Sequence, residues 1–377
     1  MKGRGSPQAT GWERRLLVAL LLVMSVATTG FGPPTLVESE SAQTPVSVST
    51  LRQISADRPP ELLAKAWVLM DATTGRVIRS RNANVHRAPA STTKMMTALV
   101  TLENARLTDV VKAGPNVKVE PVVIGLDPGD ELTVEQLLYG MLLNSGNDAA
   151  VDLAEYVGGS IPRFAEMMNA KAAQLGLKDT HFVNPHGLDA EGHYSSARDL
   201  AVLARAALSN PVFERIVATR EYRIEGPVRW VFENSNRLLA SFPGADGVKT
   251  GYTDNAGRCL VSSATRKGHR AIAVVLDSDT MYEDSAALLS YLFDNYDWET
   301  LDVSGSPLCD HGQGTEARQT TPKSKPSIVF PAWQRPYLRR FVSFAGSPAK
   351  GNGAAGVATF YLFGEKVAEI ELYEEGS

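Results

Sequence analysis

Strand-like segments stand at both ends of the region 66–296, and this arrangement restricts the fold more than any other feature of the sequence. Residues 66–80 predict a β-hairpin around a Thr-Gly turn. Apolar residues at three- and four-residue spacing then predict a series of helices, at 91–104, 132–143, 147–157, 164–175 and 197–208. Strands at 259–264 and 271–276 and a last helix at 284–296 complete the region. The pattern favours an α/β domain whose sheet joins both ends of the region.

The composition changes after Leu301. Residues 304–326 hold Gly, Ser, Pro, Thr and Gln with almost no large apolar side chain, which is typical of a linker. Strand-like runs with turns at Gly follow it, so residues 327–377 predict a small all-β domain. We assign the α/β domain to residues 44–303.

The first 43 residues lie outside the predicted fold. Lys2, Arg4, Arg14 and Arg15 precede a stretch at 16–28 that carries no charge. A positive segment followed by a short apolar run is typical of a secretory signal, whereas a spanning helix needs about 18 or more apolar residues. We expect the protein to work outside the cytoplasm, in the periplasm or cell envelope. The sequence leaves open whether the segment is cleaved or retained.

Charge and cysteine content exclude some kinds of function. Lys and Arg total 38 against 42 Asp and Glu, a formal net charge of −4. This balance provides no general attraction to nucleic acid, so we expect no nucleic-acid partner. Cys259 and Cys309 are too few for a disulfide framework or a cysteine-based zinc site, although a single bridge between them remains open.

Ser91 and Lys94 form the first pattern that suggests chemistry. Serine is a poor nucleophile unless a base lies within hydrogen-bond reach. Spacing of three residues at a predicted helix start places Lys94 beside Ser91, where backbone N–H groups also face a developing oxyanion. The pattern alone is weak, because Ser347 and Lys350 repeat it. We predict a loop for that second match, which contains Pro and is surrounded by Gly.

Two further patterns are each ambiguous when taken alone. Ser145-Gly146-Asn147 separates two predicted helices and directs polar groups into a cleft, but it also suits an ordinary turn with an N-cap. Lys249-Thr250-Gly251 precedes a predicted strand. Its side chains suit a carboxylate, and its glycine allows a substrate backbone to approach; the alternative is a solvated turn.

In this order the three patterns are the signature of penicillin-binding proteins and class A β-lactamases. The surrounding segments resemble the D-alanyl-D-alanine carboxypeptidases, the low-molecular-mass penicillin-binding proteins, at 89–98, 145–150, 180–188, 193–200 and 247–253. The resemblance covers about residues 66–298, and the tail is more loosely similar to that family's small β-sandwich domain. It implies a penicillin-binding (β-lactamase/transpeptidase-like) α/β domain with a helical subdomain, followed by a C-terminal β-sandwich.

The resemblance also implies catalytic roles. Ser91 would be acylated at the penultimate D-alanine carbonyl, which expels the terminal D-alanine, and Lys94 would take its proton. Ser145, with Lys249, would pass a proton to the leaving amine and help to activate the deacylating water.

Substrate binding is implied for a second group of residues. Asn147 would hold the peptide, and Thr250, beside Lys249 and Gly251, would hold the terminal carboxylate. The backbone N–H groups of Ser91 and Tyr252 would form the oxyanion hole.

The implied function is a serine carboxypeptidase that trims peptidoglycan stem peptides and is inhibited covalently by β-lactam antibiotics, with association at the cell envelope. Two alternatives remain open at this stage. A class A β-lactamase has Ser-Asp-Asn where this chain has Ser145-Gly146-Asn147, and it uses a Glu for deacylation. A non-catalytic or weakly active penicillin-binding wall protein is the other.

Met281 marks a departure from the family pattern. Relatives commonly carry an Arg near the substrate carboxylate at this place, whereas residues 271–300 contain none. Lys249 and Thr250 are then the remaining side chains in the pattern that donate hydrogen bonds to the substrate carboxylate. Either these two residues suffice, or activity on peptides with a free terminal carboxylate is weaker.

No cofactor or metal is expected. His181, His186 and His193 fall in one region, but the spacing of a metal-binding helix is missing, and we predict ordinary polar roles in a loop.

Overall fold

The computed structural model describes residues 49, 54, 57–225, 230–304, 310–311, 318–344 and 354–374. The chain divides into two compact units, of which one is Ser55–Asp297 and the other contains Trp298–Ser377. The predicted signal at 1–43 lies outside the described residues. No helix among the described residues is long and apolar enough to cross a membrane.

The first unit is built on a five-stranded antiparallel sheet with the strand order β2-β1-β9-β8-β7. Its strands are β1 (Ala66–Asp71), β2 (Val77–Arg81), β7 (Ala245–Thr253), β8 (Gly257–Arg266) and β9 (His269–Leu276). Two short hairpins accompany it, formed by β3 (Val110–Lys112) with β4 (Glu131–Thr133), and by β5 (Glu221–Ile224) with β6 (Trp230–Glu233). Because the amino-terminal hairpin pairs with β9, the sheet joins both ends of the unit, and the predicted fold class is confirmed.

Helices fill the region between the hairpin and β7, and one more follows β9. They are α1 (Lys94–Asn104), α2 (Val134–Leu143), α3 (Asn147–Gly158), α4 (Ile161–Gln174), α5 (Ala197–Leu208), α6 (Pro211–Ala218), α7 (Leu238–Ser241) and α8 (Met281–Asn295). The apolar sides of α1, α2, α3 and α5 and one face of the sheet form a continuous buried core. The burial of α1 extends to polar residues, since Lys94, Thr97 and Thr101 are all inaccessible to solvent.

The predicted helices of this unit occur within a few residues of the expected positions. The sequence reading did not identify α6, although its signals were present: Asn210 caps the helix by accepting from the N–H groups of Val212 and Phe213, and Pro211 begins it. The β5–β6 hairpin was not predicted either, because its strands have only four residues each and carry charges.

The second unit contains a five-stranded antiparallel sheet with the order β11-β12-β16-β15-β14, so the predicted all-β domain is confirmed. Its strands are β11 (Asp310–His311), β12 (Arg318–Pro322), β13 (Ser327–Pro331), β14 (Leu338–Phe344), β15 (Gly356–Leu362) and β16 (Glu365–Glu374). A further strand, β10 (Tyr296–Thr300), spans the boundary between the units.

The boundary predicted at residue 303 and the linker at 304–326 both need correction. Leu301 and Val303 are buried in the core of the second unit, where they join residues such as Val342 and Phe360. Strand β12 lies within the predicted linker and pairs with β16. Its β-branched residues Thr320 and Thr321 favour a strand although they add little apolar surface, so hydropathy alone did not reveal it.

We predict that a chain ending at Asp297 folds and reacts with penicillin at the rate of the full chain, because the first unit has its own core. A chain ending at Val303 should be less soluble, because it exposes Leu301 and Val303. Thermal unfolding and the acylation rate, measured on both truncated chains, test this. A chain ending at Asp297 that folds but does not react with penicillin would contradict the prediction.

Candidate active site

Ser91 lies in a tight 3-10 turn, Ala90–Thr93, that leads directly into α1. The Thr92 hydroxyl donates to the Pro89 carbonyl over 2.6 Å, and Ala90 adopts a positive φ of 48°. This turn sets Ser91 half-buried at the base of α1. The predicted helix start is present, but its first turn is a 3-10 turn and the α-helix itself begins at Lys94.

Lys94 is the first residue of α1 and is completely buried. Its Nζ lies 2.9 Å from Ser91 Oγ, 2.7 Å from Asn147 Oδ1 and 2.8 Å from the His186 carbonyl oxygen. The structure therefore brings together Ser91, Lys94 and Asn147, which come from two sequence patterns 53 residues apart.

The three partners of Lys94 suit an uncharged amine. Two of them are oxygens that can only accept, on Asn147 and His186, and the third is the Ser91 hydroxyl, which can also donate. A neutral amino group has two N–H bonds for the two carbonyl oxygens and one lone pair for the serine proton. The geometry matches that of a base poised to deprotonate Ser91.

Electrostatics favours the same state. Burial lowers the pKa of Lys94 well below its ordinary value, the positive charge of Lys249 lowers it further, and Asp148 opposes them. Burial also lowers the pKa of Lys249, to about 7. Both amines are thus much closer to deprotonation at neutral pH than a free lysine would be.

The edge strand β7 carries the Lys-Thr-Gly pattern past the serine. An added Cβ on Gly251 would lie 3.0 Å from the Ser91 backbone nitrogen, so only glycine allows this approach without displacement. The buried Lys249 donates to the Thr250 carbonyl over 3.1 Å, and the Thr250 hydroxyl lies 2.7 Å from that of Ser235. Tyr252, the next residue, is 62% exposed.

Ser145 and Asn147 occupy the turn between α2 and α3. Ser145 has a φ of 65°, in the left-handed region, and its hydroxyl has no hydrogen-bond partner among the described residues. Asn147 begins α3 and its N–H donates to the Val122 carbonyl over 2.7 Å. The strained turn leaves the Ser145 hydroxyl without a hydrogen bond to a described residue, and it holds the Asn147 side chain against Lys94.

The sequence reading missed Asp148 as a structural anchor of the site. Its buried carboxylate accepts from the backbone N–H groups of Ile124, Gly125 and Leu126, each at 2.9–3.0 Å. These bonds hold the loop before α2 against the first turn of α3, next to Asn147. An Asp one residue after the pattern, at a helix start, was the available signal.

The His186 carbonyl and Gly187 are also parts of the site that the sequence reading did not identify. Gly187 has a φ of 90°, and an added Cβ would overlap the carbonyl group of Ala90. The loop therefore packs directly on the serine turn and delivers the His186 carbonyl to Lys94. A His-Gly pair in a loop signals a positive φ but does not reveal which carbonyl faces a lysine.

The three histidines have protein partners. His193 accepts from the Val183 N–H at Nδ1 and bonds Thr93 Oγ1 through Nε2, while His181 Nδ1 bonds the Gly192 carbonyl. Burial lowers the pKa of His186 to about 3 and that of His193 to about 4, so both are neutral at physiological pH. The described residues contain no group of three or more potential metal ligands.

Two other residues singled out in the sequence can now be placed. Met281 begins α8 and is only 9% exposed. Cys259 is buried and forms no disulfide with a described residue, and burial raises the pKa of its thiol to about 11. Ser347 and Cys309 lie outside the described residues.

Comparison with known proteins identifies the family. Residues 53–280, more than half of the chain, match the D-alanyl-D-alanine carboxypeptidase family of peptidases. The chain belongs to this family.

Individual relatives agree with this assignment. D-alanyl-D-alanine carboxypeptidase DacF of Bacillus subtilis is 41% identical over 249 residues, which cover 63% of this chain and 64% of that protein. DacB2 of Mycobacterium tuberculosis is 40% identical, over 63% of this chain and 83% of its own length. The match thus spans less than two thirds of the Bacillus relative.

Solved structures extend the similarity over more of the chain. The crystal structure of D-alanyl-D-alanine carboxypeptidase DacD from Francisella tularensis has a TM-score of 0.69 at 29% identity, and covers 84% of this chain and 94% of its own. Penicillin binding protein 6B from Escherichia coli has a TM-score of 0.69 at 32% identity, with 83% and 95% covered.

We predict that Gly187→Ala disables this carboxypeptidase-family site, because the new methyl group displaces the turn that carries Ser91. Gly192→Ala is the matched control: Gly192 shares the loop and a positive φ of 77°, but its added Cβ meets nothing closer than 3.8 Å. Both variants should lose about 1–2 kcal/mol of unfolding free energy from the backbone strain, and Gly187→Ala should lose more because its methyl group also overlaps the Ala90 carbonyl. Only Gly187→Ala should lose penicillin acylation, and equal acylation rates would contradict the packing described above.

We also predict that acylation rises with pH along a limb set by Lys94, well below the pKa of a free lysine, because only the neutral amine accepts the serine proton. Lys249→Gln removes a positive charge that lowers the pKa of Lys94, so the limb should move to higher pH while the rate falls. Lys112→Gln, on the exposed side of β3, should leave the limb unchanged. The measurement is the acylation rate between about pH 5 and 10, and an unmoved limb in Lys249→Gln would contradict the coupling.

Proposed function

We propose that this protein is a serine D-alanyl-D-alanine carboxypeptidase that removes the terminal D-alanine from peptidoglycan stem peptides and is acylated by β-lactams. The observation that carries the proposal is the buried Lys94 amine bonded to Ser91 and to two carbonyl oxygens. Family membership supports the substrate class.

The substrate would bind along β7, the edge strand beside Ser91. Edge strands leave N–H and C=O groups open to an added peptide, and Gly251 lets that peptide approach the serine. Asn147 uses its carbonyl oxygen for Lys94, so its amide NH₂ is available to a substrate carbonyl. We assign the terminal carboxylate to the Thr250 hydroxyl, which lies 2.7 Å from the Ser235 hydroxyl.

Acylation would proceed in one addition and one elimination. Lys94 takes the proton from Ser91 Oγ as the oxygen bonds the penultimate D-alanine carbonyl, and the N–H groups of Ser91 and Tyr252 stabilise the oxyanion. The C–N bond then breaks and the leaving amine receives a proton by way of Ser145 and Lys249, which releases D-alanine. Water hydrolyses the ester with the same groups acting in reverse.

A β-lactam would follow the first half of this path. Its ring carbonyl is attacked by Ser91, but the leaving nitrogen stays tethered to the acyl group and continues to occupy the site. Penicillin therefore remains as a long-lived ester, whereas a peptide substrate frees the site for water.

We place this activity outside the cytoplasm, at the cell envelope. The proposal rests on the basic and apolar pattern at 1–28 and on the location of stem peptides, which lie outside the membrane.

Ser91→Ala should abolish both the mass increase of the intact protein with benzylpenicillin and D-alanine release, because it removes only the nucleophile. Ser347→Ala is the control, since Ser347 repeats the Ser-x-x-Lys spacing outside the three-part pattern, and it should behave as wild type. Peptide mapping that places the label on any residue other than Ser91 would refute the assignment. Labelling without D-alanine release would favour a penicillin-binding protein without peptidase activity.

A further inference from the structure

The backbone carbonyl that faces Lys94 belongs to a loop, residues 181–193, which we call the histidine loop. Lys94 Nζ lies 2.8 Å from the His186 carbonyl oxygen, so the position of this loop decides whether the amine keeps that partner and stays shielded from water. One bond from α1 holds the loop beside the carbonyl: the hydroxyl of the buried Thr97 donates to the Pro185 carbonyl over 2.6 Å. This bond fixes the loop at a single point.

A second contact, made by His193, joins the histidine loop to the 3-10 turn that carries the serine. Thr93 Oγ1, at the end of that turn, lies 2.9 Å from His193 Nε2, and both residues are buried. Nδ1 of the same ring accepts from the Val183 N–H over 3.1 Å. The imidazole therefore bridges both ends of the histidine loop to the residue directly before Lys94.

The His193 ring is held in one protonation state and one orientation. Burial lowers its pKa to about 4, the charge of His181 lowers it further, and Asp189 opposes them, so the ring is neutral at physiological pH. Because Nδ1 accepts from an amide N–H, the proton lies on Nε2 and is donated to the Thr93 hydroxyl. The Phe182 ring packs edge-on against the imidazole, with 5.7 Å between the ring centres, and supports this orientation.

We propose that His193 is a positioning residue of the carboxypeptidase site: it fixes the histidine loop on Thr93, so that the His186 carbonyl stays on Lys94 and water is kept from the amine. This inference rests on the proposed carboxypeptidase function and adds one residue to it. His193 acts through Thr93 and the loop, and it takes no part in the proton transfers at Ser91.

A loosened histidine loop should change the base strength of Lys94. Burial is the largest cause of the lowered pKa of Lys94, so water that reaches Nζ raises that pKa toward the value of a free lysine. The charges of Lys249 and Asp148 and the His186 ring also act on Lys94, and a change at His193 leaves all three in the chain. A purely structural role would differ, because it would reduce the amount of folded protein without moving the pH at which Lys94 loses its proton.

The test follows acylation by benzylpenicillin between about pH 5 and 10, as the rate of mass increase of the intact protein. In His193→Ala the rate at neutral pH should fall by about tenfold, while the rising limb should move up by about one pH unit and the rate above it should recover. His193→Gln should restore most of the rate at neutral pH, because its amide can donate to the Thr93 hydroxyl.

Thr93→Val removes the partner hydroxyl and should shift the limb in the same direction, which also gives a reading if His193→Ala does not fold. Added to His193→Ala, it should lower the rate by less than about twofold more, because both changes break the same contact.

His181→Ala is the matched control, because His181 is an exposed histidine of the same loop whose Nδ1 bonds the Gly192 carbonyl instead of the serine turn. It should change neither the rate nor the limb. An unmoved limb in His193→Ala and Thr93→Val, an equal shift in His181→Ala, or a double variant whose losses multiply would overturn the positioning role. Failure of the proposed function looks different, since wild-type protein would then gain no mass with benzylpenicillin and release no D-alanine.

Discussion

The structure of the site depends on the burial of one amino group. Lys94 Nζ is shielded from water and satisfied only by oxygen atoms from three separate places in the chain: the serine turn, the start of α3 and the loop at His186. An ammonium in this position would lose its hydration without gaining a carboxylate partner, so the environment selects the neutral amine. The same contacts that make Lys94 a base therefore hold the three segments together.

Much of the remaining architecture serves to bring these segments to the edge of the sheet. The antiparallel sheet ends at β7, and α1 points its first turn at that edge. Two glycines permit the contact, Gly251 on the strand side of Ser91 and Gly187 on the loop side. Since a side chain at either position meets backbone atoms of the serine turn, the close approach depends on local residue choice as well as topology.

Sequence reasoning is most informative where side chains carry the signal. Ser91, Lys94, Ser145, Asn147 and Lys249 were all selected from their patterns, and the structure brings Ser91, Lys94 and Asn147 into direct contact. Long periodic helices such as α5 were located at their observed ends. In each case the signal is a residue type at a fixed spacing, which can be read from the sequence without knowledge of the fold.

The parts that were not predicted are carried by the backbone or by tertiary contacts. The His186 carbonyl is invisible to any residue pattern, and Asp148 acts on a loop more than twenty residues away. The domain boundary was misplaced because Leu301 and Val303 look like the end of one unit but are buried in the next. Such features depend on which segments meet, and a single sequence does not state this.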